Sequence, residues 1–148
     1  MLKYVRGDIL RSDAEALVNT VNCVGVMGAG LALQFKREYP AMYADYRRAC
    51  RQHELNPGRM HWFRENGKLI INFPTKVDYR QPSRMRYIRT GLAALSDLMD
   101  ELHIGSIAIP PLGCGLGGLD WQIVRGVIED ALRDTSQNAD VLIYGDRG

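Results

Sequence analysis

Two short clusters of glycine constrain this chain more than any other feature of its sequence. The first consists of Gly25, Gly28 and Gly30, and the second of Gly113, Gly115, Gly117 and Gly118. Each cluster follows an apolar run typical of a buried strand and precedes a run typical of a helix. Glycine allows positive φ angles and a close approach of the backbone to a ligand. The sequence therefore predicts two strand–loop–helix units with loops that can hold a bound molecule.

The position of both loops beside a helix N-terminus suits an anion, because free backbone N–H groups and the helix dipole point the same way. Two such loops that face each other suit a diphosphate. The alternative interpretation is that both are merely tight turns. The first loop has the spacing G-x-x-G-x-G, so it does not match the dinucleotide-binding fingerprint, and no lysine stands where a P-loop needs one.

Strand-like and helix-like segments alternate along the whole chain. The patterns predict strands at residues 2–5, 16–21, 60–64, 69–73, 106–109 and 141–144, with a hairpin at Asn66-Gly67. They predict helices at residues 31–39, 41–53 and 83–102 and a last helix from residue 120, with Ser83 and Asp120 as caps and residues 124, 127, 128 and 131 facing inward. This order indicates a three-layer α/β/α sandwich with a mixed, mostly parallel central sheet.

Length and composition limit the class of protein. A chain of 148 residues with 46% hydrophobic and 24% charged residues is typical of one globular domain, here residues 1–148. The formal charge of +2 is too small to indicate nucleic-acid binding by itself. Cys23, Cys50 and Cys114 have no metal-site spacing, so we expect reduced thiols in a cytoplasmic protein that needs no metal or cofactor. The uncharged run 17–35 contains asparagines and glycines and does not predict a membrane helix.

Polar residues follow the first two strands, at Asp8 and Asn22. Ligands of parallel sheets bind outside the carboxyl ends of the strands, so we expect Asp8, Asn22 and the loop 110–118 to converge there. Asp8 can accept a hydrogen bond from an adenine amine or cap a turn, and Asn22 can hold a ribose hydroxyl or its own loop. The sequence leaves these alternatives open.

Four motifs together resemble the macrodomain family. They are GDI at residues 7–9, VNCVGVMGAGLA at 21–32, NFPTK at 72–76 and PPLGCGLGGLDW at 110–121. They occur in order over essentially the whole chain and are most similar to the DarG-type antitoxin macrodomains, which are DNA ADP-ribosyl glycohydrolases. The resemblance implies a macrodomain fold and a site for ADP-ribose.

The resemblance also implies roles for individual residues. Asp8 binds adenine with Ile9 beside it, and Lys76 matches the lysine that the DarG type needs for catalysis. The distal ribose is surrounded by Thr20, Asn22, Gly28, Ala29, Gly30, Leu31 and Gln34. The diphosphate is cradled by Leu112, Gly113, Cys114, Gly115, Leu116 and Gly117.

Lys76 lies in an irregular segment after a buried strand. From the residues alone it is either a solvated surface lysine or an amine that attacks the ribosyl carbon or transfers a proton. A related group, the terminal ADP-ribose protein glycohydrolases, pairs an equivalent lysine with an aspartate at the position of Gly117. Because this chain has no carboxylate there, we expect the substrate diphosphate or a water molecule to serve the second proton step.

Positive charge is concentrated between Lys76 and Arg89, where five cations accompany Asp78. Two of the arginines lie at a helix start, which the dipole disfavours unless a phosphate is bound. The predicted DNA contacts are Tyr79, Arg80, Arg84 and Arg86; the alternative is a solvated helix start. We expect surface or edge positions for the three histidines, and packing roles for Cys23 and Cys114.

The resemblance implies a hydrolase that removes ADP-ribose from thymidine in single-stranded DNA and counteracts a DNA ADP-ribosyltransferase toxin, and we expect it to be a monomer. The alternatives are a hydrolase that acts on ADP-ribosylated protein or on O-acyl-ADP-ribose, and a reader that binds ADP-ribose without turnover. DarG-type proteins carry a further domain that contacts the toxin. We therefore expect this chain to be part of a longer protein.

Overall fold

A six-stranded sheet forms the centre of the fold in the computed structural model, which describes residues 1–147. The strands are β1 (Leu2–Val5), β2 (Ala16–Val21), β3 (His61–Glu65), β4 (Lys68–Pro74), β5 (Ser106–Ile109) and β6 (Asp140–Tyr144). Their order across the sheet is β1-β6-β5-β2-β4-β3, and only the hairpin pair β3 and β4 is antiparallel. The predicted mixed, mostly parallel sheet is confirmed, with β2 at its centre.

Helices cover both faces of this sheet. On one face, α1 (Gly30–Glu38) and α2 (Pro40–Arg51) pack against residues such as Leu17 and Ile70. On the other face, α3 (Met85–Glu101) and α4 (Trp121–Leu132) pack against the alternate positions of the same strands. Alternation along buried strands thus supplies two apolar cores, as expected for a three-layer sandwich. No helix within residues 1–147 is both long and apolar enough to cross a membrane.

Two details of the helices differ from the predictions. Ser83 does not cap α3, because Arg84 is the N-cap residue and the Ser83 backbone N–H donates instead to the carbonyl oxygen of Gly117. Ala131 is exposed on α4, because the buried positions Val124, Ile128 and Leu132 repeat every four residues. The predicted cap Asp120 is confirmed, since its side chain accepts a hydrogen bond from the N–H of Gln122.

A hydrogen-bonded row of polar side chains crosses the face of the sheet beneath α2. The Nδ2 of Asn19 donates to the Oδ1 of Asn72 (3.1 Å), and the Nδ2 of Asn72 lies 3.0 Å from the Nδ1 of His61. The Nε2 of His61 lies 2.7 Å from the Oδ2 of Asp45 on α2. His61 lies on the edge strand β3, as expected, but its side chain is buried. Burial is tolerated because Asn72 and Asp45 form hydrogen bonds with both ring nitrogens. The other histidines, at 53 and 103, are exposed.

Candidate functional site

A cavity of about 620 Å³ opens at the carboxyl ends of the central strands, in the size range of small-molecule sites. It lies between the two glycine clusters and the segment after β4. Its lining contains Thr20, Val21, Asn22, Val26, Gly28, Ala29, Gly30, Leu31, Ala32, Thr75, Lys76, Tyr79, Pro110, Pro111, Gly113, Cys114, Gly115, Leu116 and Gly117. The sequence analysis gave no individual role to Val21, Val26, Ala32, Thr75, Pro110 or Pro111, although all of them lie within the motifs.

The first glycine cluster leads into the N-terminus of α1. Ala29 is the N-cap residue and its side chain makes no capping hydrogen bond. The backbone N–H groups of Gly30, Leu31 and Ala32 therefore have no acceptor within the helix. Gly30 has a φ of 56°, a conformation that a larger side chain takes rarely. This end of α1 presents several donors to the cavity.

The second glycine cluster forms a loop with free donors of its own. The N–H of Cys114 donates to the carbonyl oxygen of Pro111, and the N–H groups of Gly118 and Leu119 donate to carbonyl oxygens within the loop. Within residues 1–147 we find no acceptor for the three consecutive N–H groups of residues 115–117. These N–H groups belong to residues that line the cavity, so the loop has the character of an anion-binding nest.

Lys76 bridges the segment after β4 and this second loop. Its Nζ lies 3.3 Å from the carbonyl oxygen of Leu116 and 3.5 Å from that of Tyr79. The N–H of Thr75 donates to the carbonyl oxygen of Val21 (2.9 Å), which ties the start of the segment to β2. Lys76 therefore lies at the mouth of the cavity as a half-buried residue whose amine makes exposed contacts. Of the cavity-lining residues, none is an aspartate or glutamate.

Gly117 occupies a position that has no room for a side chain. A Cβ atom at this residue would overlap with the carbonyl oxygen of Gly113 and with the hydroxyl of Ser83. By contrast, a Cβ at Gly115 would meet nothing within 4 Å. The missing loop carboxylate is thus a consequence of how the loop packs on the segment that precedes α3.

Asp8 and Ile9 lie outside the lining of this cavity, so the expected convergence of Asp8 with Asn22 is not seen there. The Asp8 carboxylate accepts a hydrogen bond from the N–H of Leu10 (3.0 Å) and caps the short 3₁₀ turn Ile9–Arg11. Asp8 follows β1, which is separated from β2 by two strands, a displacement of roughly 14 Å across the sheet. Asp8 nevertheless lies at the carboxyl ends of the same parallel strands. An extended ligand bound in the cavity spans a distance of this size.

Leu112 and Gln34 also lie outside the lining. Leu112 is buried in the core beneath the second loop, and Gln34 is exposed on α1. The Asn22 side chain satisfies its own loop: its Oδ1 accepts from the N–H groups of Val24 (3.1 Å) and Val26 (3.3 Å). Of the two alternatives for this residue, the structure shows the contact within the loop.

The basic segment forms the rim beside the cavity. Tyr79 is half exposed and lines the cavity, whereas Arg80, Arg84 and Arg86 do not. Arg80 forms a two-point contact with Asp78 (3.0 and 2.7 Å) and lies 5.3 Å from the centre of the Tyr79 ring. These hydrogen bonds lower the pKa of Asp78 to about 2. Arg80 is therefore already paired, and Lys76, Arg84, Arg86 and Arg89 supply the rest of the positive charge.

The two cysteines near the cavity are not set up as nucleophiles. Burial raises the pKa of the Cys23 thiol to about 12, with a smaller contribution from Cys50. Burial and, to a lesser extent, Asp120 raise the pKa of Cys114 to about 11. A reactive cysteine requires the opposite shift. Cys114 and Cys23 also pack against the two apolar cores, as expected for packing residues.

Comparison with known proteins gives a consistent set of relatives. The sequence profile of the macro domain matches residues 18–128. A DNA ADP-ribosyl glycohydrolase of Mycobacterium tuberculosis is 49% identical over 153 residues, which cover 100% of this chain and 43% of that protein. A DNA ADP-ribosyl transferase-DNA ADP-ribosyl glycohydrolase fusion protein of Thermosipho africanus is 34% identical, over 83% of this chain and 37% of the fusion. The chain thus spans less than half the length of these curated relatives.

Solved structures support the same relationship. The macrodomain of Mycobacterium tuberculosis DarG matches with a TM-score of 0.96 and 49% identity, covering 99% of this chain and 98% of that chain. Thermosipho africanus DarTG in complex with ADP-ribose matches with a TM-score of 0.89 and 34% identity, covering 97% of this chain and 41% of that chain. The predicted α/β/α sandwich is confirmed by these similarities.

Proposed function

The chain belongs to the macro domain family, and we propose that it is an ADP-ribosyl glycohydrolase that removes ADP-ribose from thymidine in single-stranded DNA. The observation that carries the proposal is Lys76, an amine held at the mouth of a cavity whose two glycine loops present free backbone N–H groups. The cavity combines an anion site with a potential nucleophile or proton carrier. The names of the relatives give the substrate class.

The proposal assigns ADP-ribose one orientation in this site. The diphosphate takes the free N–H groups of residues 115–117 and of the α1 N-terminus, because both carry partial positive charge. The distal ribose then lies between Asn22 and Lys76, and the adenine extends along the sheet edge toward Asp8 and Ile9. The roughly 14 Å between β2 and β1 leave room for the rest of the nucleotide.

Lys76 is the catalytic residue of this proposal. In one route the unprotonated amine attacks the ribosyl carbon while the bond to the base breaks, and water then cleaves the ribosyl–lysine bond to release ADP-ribose. In the other route the protonated amine donates a proton to the departing base while water attacks the ribosyl carbon. Ordinary glycoside hydrolysis uses two carboxylates, but the packing of Gly117 leaves none in the cavity lining. The substrate diphosphate or a water molecule serves the second proton step.

The DNA strand follows the basic rim. Tyr79 is exposed beside Lys76 and offers a ring on which a base can stack. Arg84 and Arg86 lie at the start of α3, where a phosphate offsets the unfavourable effect of the helix dipole. Arg80, which Asp78 already holds, contributes through its position over the Tyr79 ring.

Partners and location follow from the same proposal. The natural partner is a DNA ADP-ribosyltransferase toxin whose product this domain removes, as the fusion of both activities in Thermosipho africanus suggests. The free cysteines suit a reducing compartment, so the proposed location is the cytoplasm, with the domain as a monomer.

A second candidate function is binding without turnover. It is favoured by the two carbonyl oxygens near Lys76 Nζ, which give this lysine a structural task of closing the second loop over the cavity. A reader would hold ADP-ribose through the same N–H groups and need no chemistry from the amine.

The deciding experiment uses a single-stranded oligonucleotide ADP-ribosylated on thymidine. The protein should release ADP-ribose and restore the mobility of the oligonucleotide on a gel. ADP-ribosylated protein and O-acyl-ADP-ribose, tested in parallel, should be turned over much more slowly. Binding of ADP-ribose without any release would make the domain a reader, and preference for either other substrate would change the proposed linkage.

A further inference from the structure

Two tyrosines of α2 hold the loop after β2 from below. The hydroxyl of Tyr46 lies 2.8 Å from the carbonyl oxygen of Asn22 and 2.9 Å from its Oδ1. One turn earlier, the hydroxyl of Tyr43 lies 3.4 Å from the carbonyl oxygen of Gly25. Tyr46 is fully buried, whereas Tyr43 is half-buried. The shorter distances and the burial make Tyr46 the stronger of the two anchors.

The Asn22 amide forms hydrogen bonds through both its oxygen and its nitrogen. The single hydrogen of the Tyr46 hydroxyl is shared between the backbone carbonyl oxygen and the Oδ1 of Asn22. The Oδ1 also accepts from two backbone N–H groups of its own loop. Its Nδ2 donates one hydrogen to the carbonyl oxygen of Val26 (2.7 Å). An amide nitrogen carries two hydrogens, so one remains for another acceptor. Because Asn22 also lines the cavity, that hydrogen is available to a bound molecule.

We propose that Tyr46 is a positioning residue, whose buried hydroxyl fixes the Asn22 amide so that its remaining hydrogen meets the ribose of bound ADP-ribose. The inference rests on the proposed function, because it takes the cavity as the ADP-ribose site. No motif of the sequence marks Tyr46, which lies 24 residues beyond Asn22 and on a different element.

The ring and the hydroxyl of Tyr46 contact different residues, so each can be tested separately. The ring packs edge-on against His61, with centroids 6.2 Å apart and planes at 67°, and phenylalanine at this position keeps that contact. Burial raises the pKa of Tyr46 well above its usual range, so the hydroxyl stays protonated and can donate. Removal of the oxygen alone therefore tests the positioning of Asn22 without emptying the core.

The test compares Tyr46→Phe with the matched control Tyr39→Phe. Tyr39 is a second buried tyrosine on the same side of the sheet, and within residues 1–147 its hydroxyl has no hydrogen-bond partner. Calorimetry should show that Tyr46→Phe binds ADP-ribose about 3- to 10-fold more weakly, the loss expected for one hydrogen bond. Tyr39→Phe should bind within about twofold of the wild type. Thermal melting should show both variants folded.

A double-mutant cycle assigns the effect to Asn22. In an Asn22→Ala background, the change Tyr46→Phe should alter the affinity for ADP-ribose by less than about twofold. An equal loss in both backgrounds would mean that Tyr46 acts through the backbone carbonyl of Asn22 or through general packing, not through the amide, and would overturn the proposal. Unchanged binding by Tyr46→Phe, or failure of that variant to fold, would overturn it as well. Failure of the wild type to bind ADP-ribose would instead reject the proposed function.

Discussion

Ser83 packs against Gly117 so closely that its hydroxyl fills the space that a side chain at residue 117 would need. The contact is fixed by a hydrogen bond of 3.0 Å from the backbone N–H of Ser83 to the carbonyl oxygen of Gly117. The serine hydroxyl itself is buried and has no partner within residues 1–147. The second glycine loop is thus held by backbone contact at the position where a related group of macrodomains carries an aspartate.

Gly117→Asp should destabilise the protein rather than add a catalytic carboxylate. The new side chain must displace both Ser83 and the backbone of Gly113, so we expect a loss of about 2 kcal/mol or more of the free energy of unfolding. Urea denaturation measures this loss. Gly115→Ala is the matched control and should stay within about 1 kcal/mol, because its Cβ enters open space. A stable Gly117→Asp with raised turnover would contradict the packing argument.

Lys76→Ala should lose most turnover on ADP-ribosylated single-stranded DNA and keep its affinity for ADP-ribose. The amine acts mainly in the transition state, so its removal lowers kcat while binding of the product is largely unaffected. The measurements are a gel assay of the modified oligonucleotide and calorimetry with ADP-ribose.

Lys76→Arg separates chemistry from charge at the same position. A guanidinium stays protonated and cannot act as a nucleophile, so turnover should not recover. Partial recovery would indicate an electrostatic role, for example through the carbonyl oxygen of Leu116. Unchanged turnover in Lys76→Ala would remove this lysine from the mechanism.

Gly115→Glu should abolish ADP-ribose binding in a folded protein. Residue 115 has open space on its side-chain side, so the fold tolerates the substitution. The glutamate brings a negative charge to the loop whose N–H groups serve the diphosphate, and like charges at close range repel. Calorimetry and thermal melting report binding and folding separately. Normal binding by the folded variant would mean that the phosphates bind elsewhere.

Asp8→Ala should weaken ADP-ribose binding by about 1 to 3 kcal/mol, through loss of a charge-assisted hydrogen bond to adenine. The carboxylate also caps the turn Ile9–Arg11, so the variant could act through the fold alone. Asp8→Asn resolves this, because asparagine caps about as well as aspartate but lacks the charge. Calorimetry should show weaker binding for Asp8→Asn too. Wild-type affinity in Asp8→Ala would place adenine away from this residue.

The cysteine thiols should resist alkylation at neutral pH in the native protein. Burial raises the pKa of Cys114 to about 11 and of Cys23 to about 12, so the thiolate forms only well above neutral pH. At pH 8 the native thiols should react about 100-fold more slowly than a free cysteine, since the thiolate is the reacting species. Denaturation should expose all of them at once. Rapid alkylation of the native protein would contradict the assigned burial.

The sequence was sufficient to predict every strand and the layered fold. Periodicity, the hairpin at Asn66-Gly67 and the glycine clusters are local signals. The order of the strands across the sheet depends on contacts between distant segments and was not predicted. The cap at Asp120 is local as well. Ser83 has an equally good local pattern, but its contact with Gly117 lies 34 residues away and decides its role.

The site could be predicted only in part, because several of its contacts join residues that are far apart in the sequence. Backbone donors in glycine loops follow from their position before helices, and Lys76 was identified through its motif. The spacing along the chain could not show that β1 is an edge strand, so Asp8 was expected nearer to Asn22 than it is. Nor could it show that Tyr46 reaches Asn22 or that His61 lies buried between Asp45 and Asn72, because each of those contacts joins different elements.

The hydrogen bond between Asn19 and Asn72 has a consequence for how the two central strands align. These residues face each other as partners in the parallel pair β2 and β4, in the middle of an apolar sheet. If one strand slid past the other, each buried amide would face an apolar side chain and lose its partner, at a cost of a few kcal/mol. The pair therefore fixes the register of β2 against β4. Asn22 follows β2 and Lys76 follows β4 within a few residues of this pair. The register of the two strands therefore also sets the position of Asn22 relative to Lys76 in the cavity.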